Sequence, residues 1–124
     1  MTSPPKDDVE RPIPEAWRPL FASVVNSLVE RAPSLGGGLP YVDPASADVR
    51  EQCLGAIDSY GDVDLVPLPE DTWATSVTAW QSDHWLCLID LWTEQEGRSE
   101  LVLRAEVRER PPEHRFSVSM VYVP

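Results

Sequence analysis

Apolar and polar positions follow two different rhythms along this chain. From Trp17 the large apolar residues Trp17, Leu20, Phe21, Val24 and Leu28 recur every three or four positions, which sets them on one face of a helix. Proline is tolerated in a first helical turn and disruptive later, so Pro19 predicts a regular helix from about Arg18 to Arg31 after a turn over Pro14 to Trp17. Ala32-Pro33 ends it. Asp43-Pro44 reads as an N-cap followed by proline at the first helical position. Val49, Cys53, Ile57 and Tyr60 then form the apolar stripe of a second helix, and Gly61 stops it.

The second half of the chain moves to a period of two. Trp85 to Thr93 is apolar at both parities apart from Asp90, so as a strand it needs cover on both faces and is expected at the centre of an antiparallel sheet. Trp73 to Gln81 precedes it across the tight break Ser82-Asp83. Leu101, Leu103, Ala105 and Val107 alternate with Val102, Arg104, Glu106 and Arg108. Pairing Leu91 with Leu103 around Glu94–Gly97 sets Asp90 opposite Arg104. Pairing Val107 with Phe116 around Arg110–Glu113 gives the further inner pairs Ala105–Val118, Leu103–Met120 and Leu101–Tyr122. Val63 to Leu68, interrupted by Pro67, is an edge strand or an extended connection. The expected fold is α+β: two N-terminal helices packed on one face of a four-stranded antiparallel meander, five-stranded if a strand forms near 63–66, in the broad class of cystatin-like cups. Its second face would carry Leu88, Asp90, Trp92, Val102, Arg104, Glu106, Arg108, Val121 and Val123.

At 124 residues the chain has room for one domain, expected over 14–124. Residues 1–13 hold three prolines and five charges with only Val9 and Ile13 as large apolar groups, and read as a disordered tail. The net charge of −11 is concentrated: segments 1–40, 41–97 and 98–124 carry −1, −11 and +1. Such a surface repels nucleic acid and anionic lipid and attracts a basic partner. No apolar run approaches the ~18 residues of a membrane span and the first residues lack an apolar leader, so a cytoplasmic protein is expected. Cys53 and Cys87 fall on core-facing positions, where free thiols act as small hydrophobes.

The segment Asp90-Leu-Trp-Thr-Glu-Gln-Glu-Gly-Arg-Ser-Glu-Leu-Val-Leu103 and the ending Val121-Tyr-Val-Pro124 resemble a family of small uncharacterised bacterial proteins, many of them actinobacterial, over about residues 14–124. The resemblance implies a compact bacterial domain. It brings no activity and no catalytic or binding residue with it.

Little in the chain has the spacing of a reaction centre. Ser34 to Pro40 is glycine-rich, but it follows a helix and lacks the Gly-Lys-Ser/Thr of a phosphate loop. Asp58, Asp62 and Asp64 cluster without the ligand spacing or closing glutamate of a calcium loop. No zinc-type cluster, Cys-x-x-Cys or Gly-x-Ser-x-Gly occurs, and no cofactor is implied. His84 and His114 stand beside turns and read as partly exposed turn residues. Asp90, between Leu88 and Trp92, is the best single candidate for a functional acid, its pKa raised by desolvation unless Arg104 holds it ionised. Trp92 reads equally as core or as a binding patch with Leu88, Arg104 and Arg108.

Three functions are compatible with these features. The leading one is a non-enzymatic protein-binding module, of immunity or antitoxin type, that covers a basic partner with its acidic 41–97 segment through groups such as Asp58, Asp62 and Asp64. The second is a small-molecule-binding or catalytic cup around Asp90, Trp92 and Arg104. The third is a homodimer formed through the second sheet face.

Overall fold

The computed structural model describes residues 3–124. Helix α1 spans Arg18–Val29, with Pro19 in its first turn and a 3-10 turn, Glu15–Trp17, leading in. It buries Phe21, Val24, Val25 and Leu28; of the expected stripe Leu20 is only partly buried, and Val25 is added. Helix α2 spans Ala47–Tyr60 and buries Cys53 and Ile57. Its N-cap is Ser46, whose Oγ accepts the Val49 amide at 3.2 Å, and not Asp43. Asp43 is engaged elsewhere: its amide donates to the Phe116 carbonyl, and its carboxylate takes the Arg115 guanidinium.

Five strands follow in antiparallel order: β1 Arg11–Pro12, β2 Val77–Gln81, β3 His84–Thr93, β4 Gly97–Arg110 and β5 Glu113–Tyr122. The fold is α+β, and β3 is the central strand. The fifth strand is β1; residues 63–66 contribute one isolated bridge, Leu65 to Thr93, flanked by the bonds Val66 N–H to Trp92 O and Glu94 N–H to Asp64 O. Trp73 lies in a 3-10 turn, Glu70–Ala74, so the strand expected from Trp73 begins only at Val77. The tail expected through residue 13 is instead tied to the sheet: Arg11 and Pro12 pair with Thr78 and Val77, Ile13 is buried in the core, and Ser3 and Asp7 bond to residues of β2, β4 and β5.

The strand register departs from expectation at two bulges. Leu103 faces Ile89 rather than Leu91, which moves Arg104 opposite Leu88 and Asp90 opposite Val102. Between the pairs Trp92–Arg98 and Asp90–Val102, β4 advances four residues while β3 advances two. Ser99 spans this irregularity, its Oγ donating to the Leu91 carbonyl at 2.8 Å and accepting the Leu101 amide at 3.1 Å. A slip of two keeps every side chain on its expected face. On the other side of β4 the pairs Val107–Phe116 and Ala105–Val118 form as expected. One extra residue in β5 then puts Val121, not Met120, opposite Leu103. Val121 is therefore buried in the core.

The core lies between the helices and one face of the sheet. Trp85, Cys87, Ile89 and Leu91 of β3 and Leu101, Leu103, Ala105 and Val107 of β4 meet Phe21, Val24, Leu28, Cys53 and Ile57. Trp17 packs at 5.7 Å between ring centroids against both Trp85 and Phe116, the latter nearly edge to face. Such pairs add roughly 0.5–1.5 kcal/mol each beyond the area they bury.

Both sheet edges are shielded. β1 and the Asp7 carbonyl, which accepts the Trp80 amide, cover β2. Along β5, the Phe116 backbone bonds the Tyr41 carbonyl and the Asp43 amide, and the Gln52 side chain of α2 meets Val121. Shielded edges remove the template on which chains add strands to one another.

Candidate functional site

With both helices on one face of the sheet, the other face is open. Its rows run across the strands as Val77–Leu88–Arg104–Met120, Asp90–Val102–Tyr122 and Ala79–Leu86–Glu106–Ser117. Most of these side chains are half-buried and shield one another, and Val102 is buried. Leu88, Asp90, Arg104 and Arg108 share this face as expected, whereas Val121 has left it for the core.

Asp90 and Arg104 do not form the expected ion pair. The structure instead ties Asp90 to the turn before β2: Thr75 Oγ1 donates to its carboxylate at 2.5 Å, Thr72 Oγ1 to its carbonyl at 2.7 Å, and its amide donates to Ser76 Oγ at 3.0 Å. The reason is local. β2 starts at Val77, opposite Leu88, so the backbone of Asp90 lies past the end of its neighbour strand and hydroxyls replace the missing ladder bonds. Arg104 makes no ion pair among the described residues.

Nor do Asp90, Trp92 and Arg104 enclose a cup. The depression beside Asp90, about 340 Å³, is lined by Arg98, Ser99, Glu100, Val102, Val123 and Pro124 and includes neither Trp92 nor Arg104. Trp92 is half-buried, and its indole N–H is buried with no acceptor among the described residues.

The acidic groups converge at one end of the molecule, where the C-terminus of α2 meets the β3–β4 turn. Tyr60 Oη donates to Glu96 at 3.0 Å and accepts the Glu100 amide at 3.2 Å. Gln95 and Asp64 bond reciprocally, each pairing at 2.8 Å. These contacts bring Asp62, Asp64, Glu94, Glu96 and Glu100 to the same end. Asp58, one helical turn back, is ion-paired with Arg31. The Glu100 amide favours the Tyr60 phenolate, but the Glu96 carboxylate, burial and the Glu100 charge outweigh it, and Tyr60 titrates above its ordinary value.

Burial pushes the Cys53 thiol up to about 11 and the Cys87 thiol up to about 12, so neither is a thiolate nucleophile at neutral pH. His84 is partly exposed and bonded to Asp83, as a turn residue should be. His114 is not: it is buried against Trp17 and Trp85, with Nε2 at 2.8 Å from Ser3 Oγ. Ser3 also donates to Glu109 at 3.1 Å, while His114 Nδ1 has no partner among the described residues. A serine whose proton is committed to a carboxylate, beside a histidine that no acid orients, lacks the geometry of a hydrolytic triad. Among the described residues, no group of three or more His, Cys, Asp and Glu side chains could hold a metal. No helix among them is long and apolar enough to cross a membrane.

Sequence reasoning overlooked a second concentration of charge. Arg108 and Arg115 are register partners on β4 and β5, and with Arg110, Ser117, Asp43 and Glu113 they line a depression of about 340 Å³. The signal was present, because pairing Val107 with Phe116 already places Arg108 opposite Arg115.

A family model described as "Domain of unknown function (DUF7668)" matches residues 25–124. No curated protein matches the chain. No solved structure matches it either.

Proposed function

The chain belongs to this family of domains of unknown function, and we propose that it is a non-enzymatic protein-binding module that engages a basic partner protein through its acidic end. The observation that carries this proposal is the convergence of Asp62, Asp64, Glu94, Glu96 and Glu100 around the Tyr60–Glu96 and Asp64–Gln95 contacts. Opposing that many carboxylates at one end costs stability and is useful if a cationic surface arrives, whose approach the field also accelerates. An inhibitor that covers a basic effector, as immunity proteins and antitoxins do, fits this chemistry.

The test is affinity capture of the tagged protein from its own host across a salt series, beside the double variant Asp62→Lys/Glu94→Lys. Neither carboxylate makes a hydrogen bond among the described residues, so the fold should be preserved. The proposal expects a basic protein that is retained at low salt, released as salt rises and lost with the variant. Capture indifferent to both salt and charge reversal would end it.

A second reading, a homodimer through the open sheet face, is supported by the row Val77, Leu88 and Met120 around Arg104, which has no ion pair among the described residues. A monomeric mass by sedimentation at every concentration would exclude it.

A further inference from the structure

We propose that the end of the β4–β5 hairpin is an oxyanion site that takes a phosphate group, either free or carried by a small phosphomonoester. It lies outside the acidic end and is independent of the partner-binding proposal.

Arg108 and Arg115 face each other directly across the two strands, an arrangement of like charges that ordinarily destabilises a sheet. Arg110, two positions beyond Arg108 and so on the same face, joins them around the depression of about 340 Å³. In a chain with a net charge of −11, three of the ten basic residues meet at this one place.

Each guanidinium is held by an acceptor. Glu106 accepts from Arg108 Nη1 at 2.6 Å, and the Glu109 carbonyl accepts from Arg110 Nη1 at 2.9 Å. Asp43 takes Nε and Nη2 of Arg115 at 3.1 Å and 2.5 Å, while Glu113 stands 3.9 Å from Nη1 of the same residue. These contacts use part of the five N–H donors that each planar guanidinium carries. They fix the three forks, offset their mutual repulsion and leave further donors for an added anion.

A phosphate suits this geometry better than a carboxylate, because a dianion with several acceptor oxygens can receive from more than one fork at once. Ser117 adds a hydroxyl to the same lining. A polyanion does not suit it, since the chain's overall field repels one.

The experiment is a titration of the full chain with inorganic phosphate, glycerol phosphate and chloride at constant ionic strength, followed through the arginine Nε–H and backbone amide resonances. Arg108→Gln and Arg115→Gln are the test variants, and Arg104→Gln, outside the depression, is the control. The proposal expects saturable shifts of Arg108, Arg110 and Arg115 with a phosphate compound and none with chloride, a tenfold or greater loss of affinity in each test variant, and an unchanged response in Arg104→Gln. Tighter binding of glycerol phosphate would assign the site to a phosphomonoester, and equal or tighter binding of inorganic phosphate to the free ion. Linear shifts shared with chloride would overturn it, as would undiminished binding in folded Arg108→Gln and Arg115→Gln proteins.

Discussion

The side-chain amide of Gln52 closes both backbone groups of Val121, with Nε2 donating to the carbonyl at 2.7 Å and Oε1 accepting the amide at 3.0 Å. One glutamine on α2 therefore acts as a one-residue strand at the sheet's edge. It fixes the end of β5 after its bulge, where Val121 must point into the core. Gln52→Leu keeps the size and removes both bonds, and should cost about 1–2 kcal/mol in urea unfolding. Gln52→Glu retains the acceptor and loses the donor, and should cost more than wild type and less than a polar-to-apolar change that drops both. Equal stability of all three proteins would show that the contact does not hold β5.

Thr72 plays the matching part at the other side of the sheet. Its buried hydroxyl donates to the Asp90 carbonyl and lies 3.3 Å from Ser76 Oγ, which accepts the Asp90 amide. Thr72→Val leaves that carbonyl without its donor and should cost about 1–3 kcal/mol. Ser76→Ala should cost a similar amount. The double variant should lose less than the sum, since the two hydroxyls belong to one network. Additive losses, measured by chemical denaturation, would separate them.

The register of β3 on β4 is checked through Asp90 and Arg104. Cross-strand NOEs should join Leu88 to Arg104 and Ile89 to Leu103, and none should join Asp90 to Arg104 as opposed residues. A double-mutant cycle with Asp90→Asn and Arg104→Gln should return a coupling below about 0.5 kcal/mol, as for groups with no shared partner. NOEs placing the two residues opposite each other would restore the unbulged register.

Periodicity revealed the helices and the faces of β3 and β4 because burial selects a face, and faces survive a slip of two; it misplaced the end of β5, where a one-residue bulge sends Val121 inward and Met120 and Tyr122 outward. It could not reveal register, because the two bulges depend on single polar side chains. Ser99 patches one and Gln52 secures the strand beyond the other, and neither interrupts the apolar pattern. The same limit explains the cap of α2, where Asp43-Pro44 carries the stronger sequence signal but Asp43 is drawn to Phe116 and Arg115 on β5. The candidate site residues on β3 and β4 were legible as a face. Their partners were not, since Thr75 and Ser76 reach Asp90 from residues that read in sequence as the start of a strand, and Thr72 from just before it.

His114 should make stability depend on pH in a defined direction. Ser3 donates to Glu109, so the Ser3 oxygen receives the Nε2–H of a neutral His114, and protonation would place a second N–H on Nδ1, which is buried with no partner among the described residues. Burial lowers the His114 pKa, and the nearby Glu109 charge only partly opposes it. The unfolded chain therefore binds this proton more readily than the folded one. The contribution of His114 is complete above the unfolded pKa of about 6.5 and is lost as pH falls from there toward the lower folded value. Asp7, Asp83 and Glu109, whose pKa values are lowered by Arg11, His84 and Lys6, lose their contributions only in the more acidic carboxylate range. Thermal melts should accordingly show Tm falling between about pH 7.5 and pH 5.5 in wild type. The slope should be shallower in His114→Phe, which keeps a ring against Trp17 and Trp85. A wild-type Tm that holds or rises over that interval, or a variant with the same slope, would remove His114 as the cause.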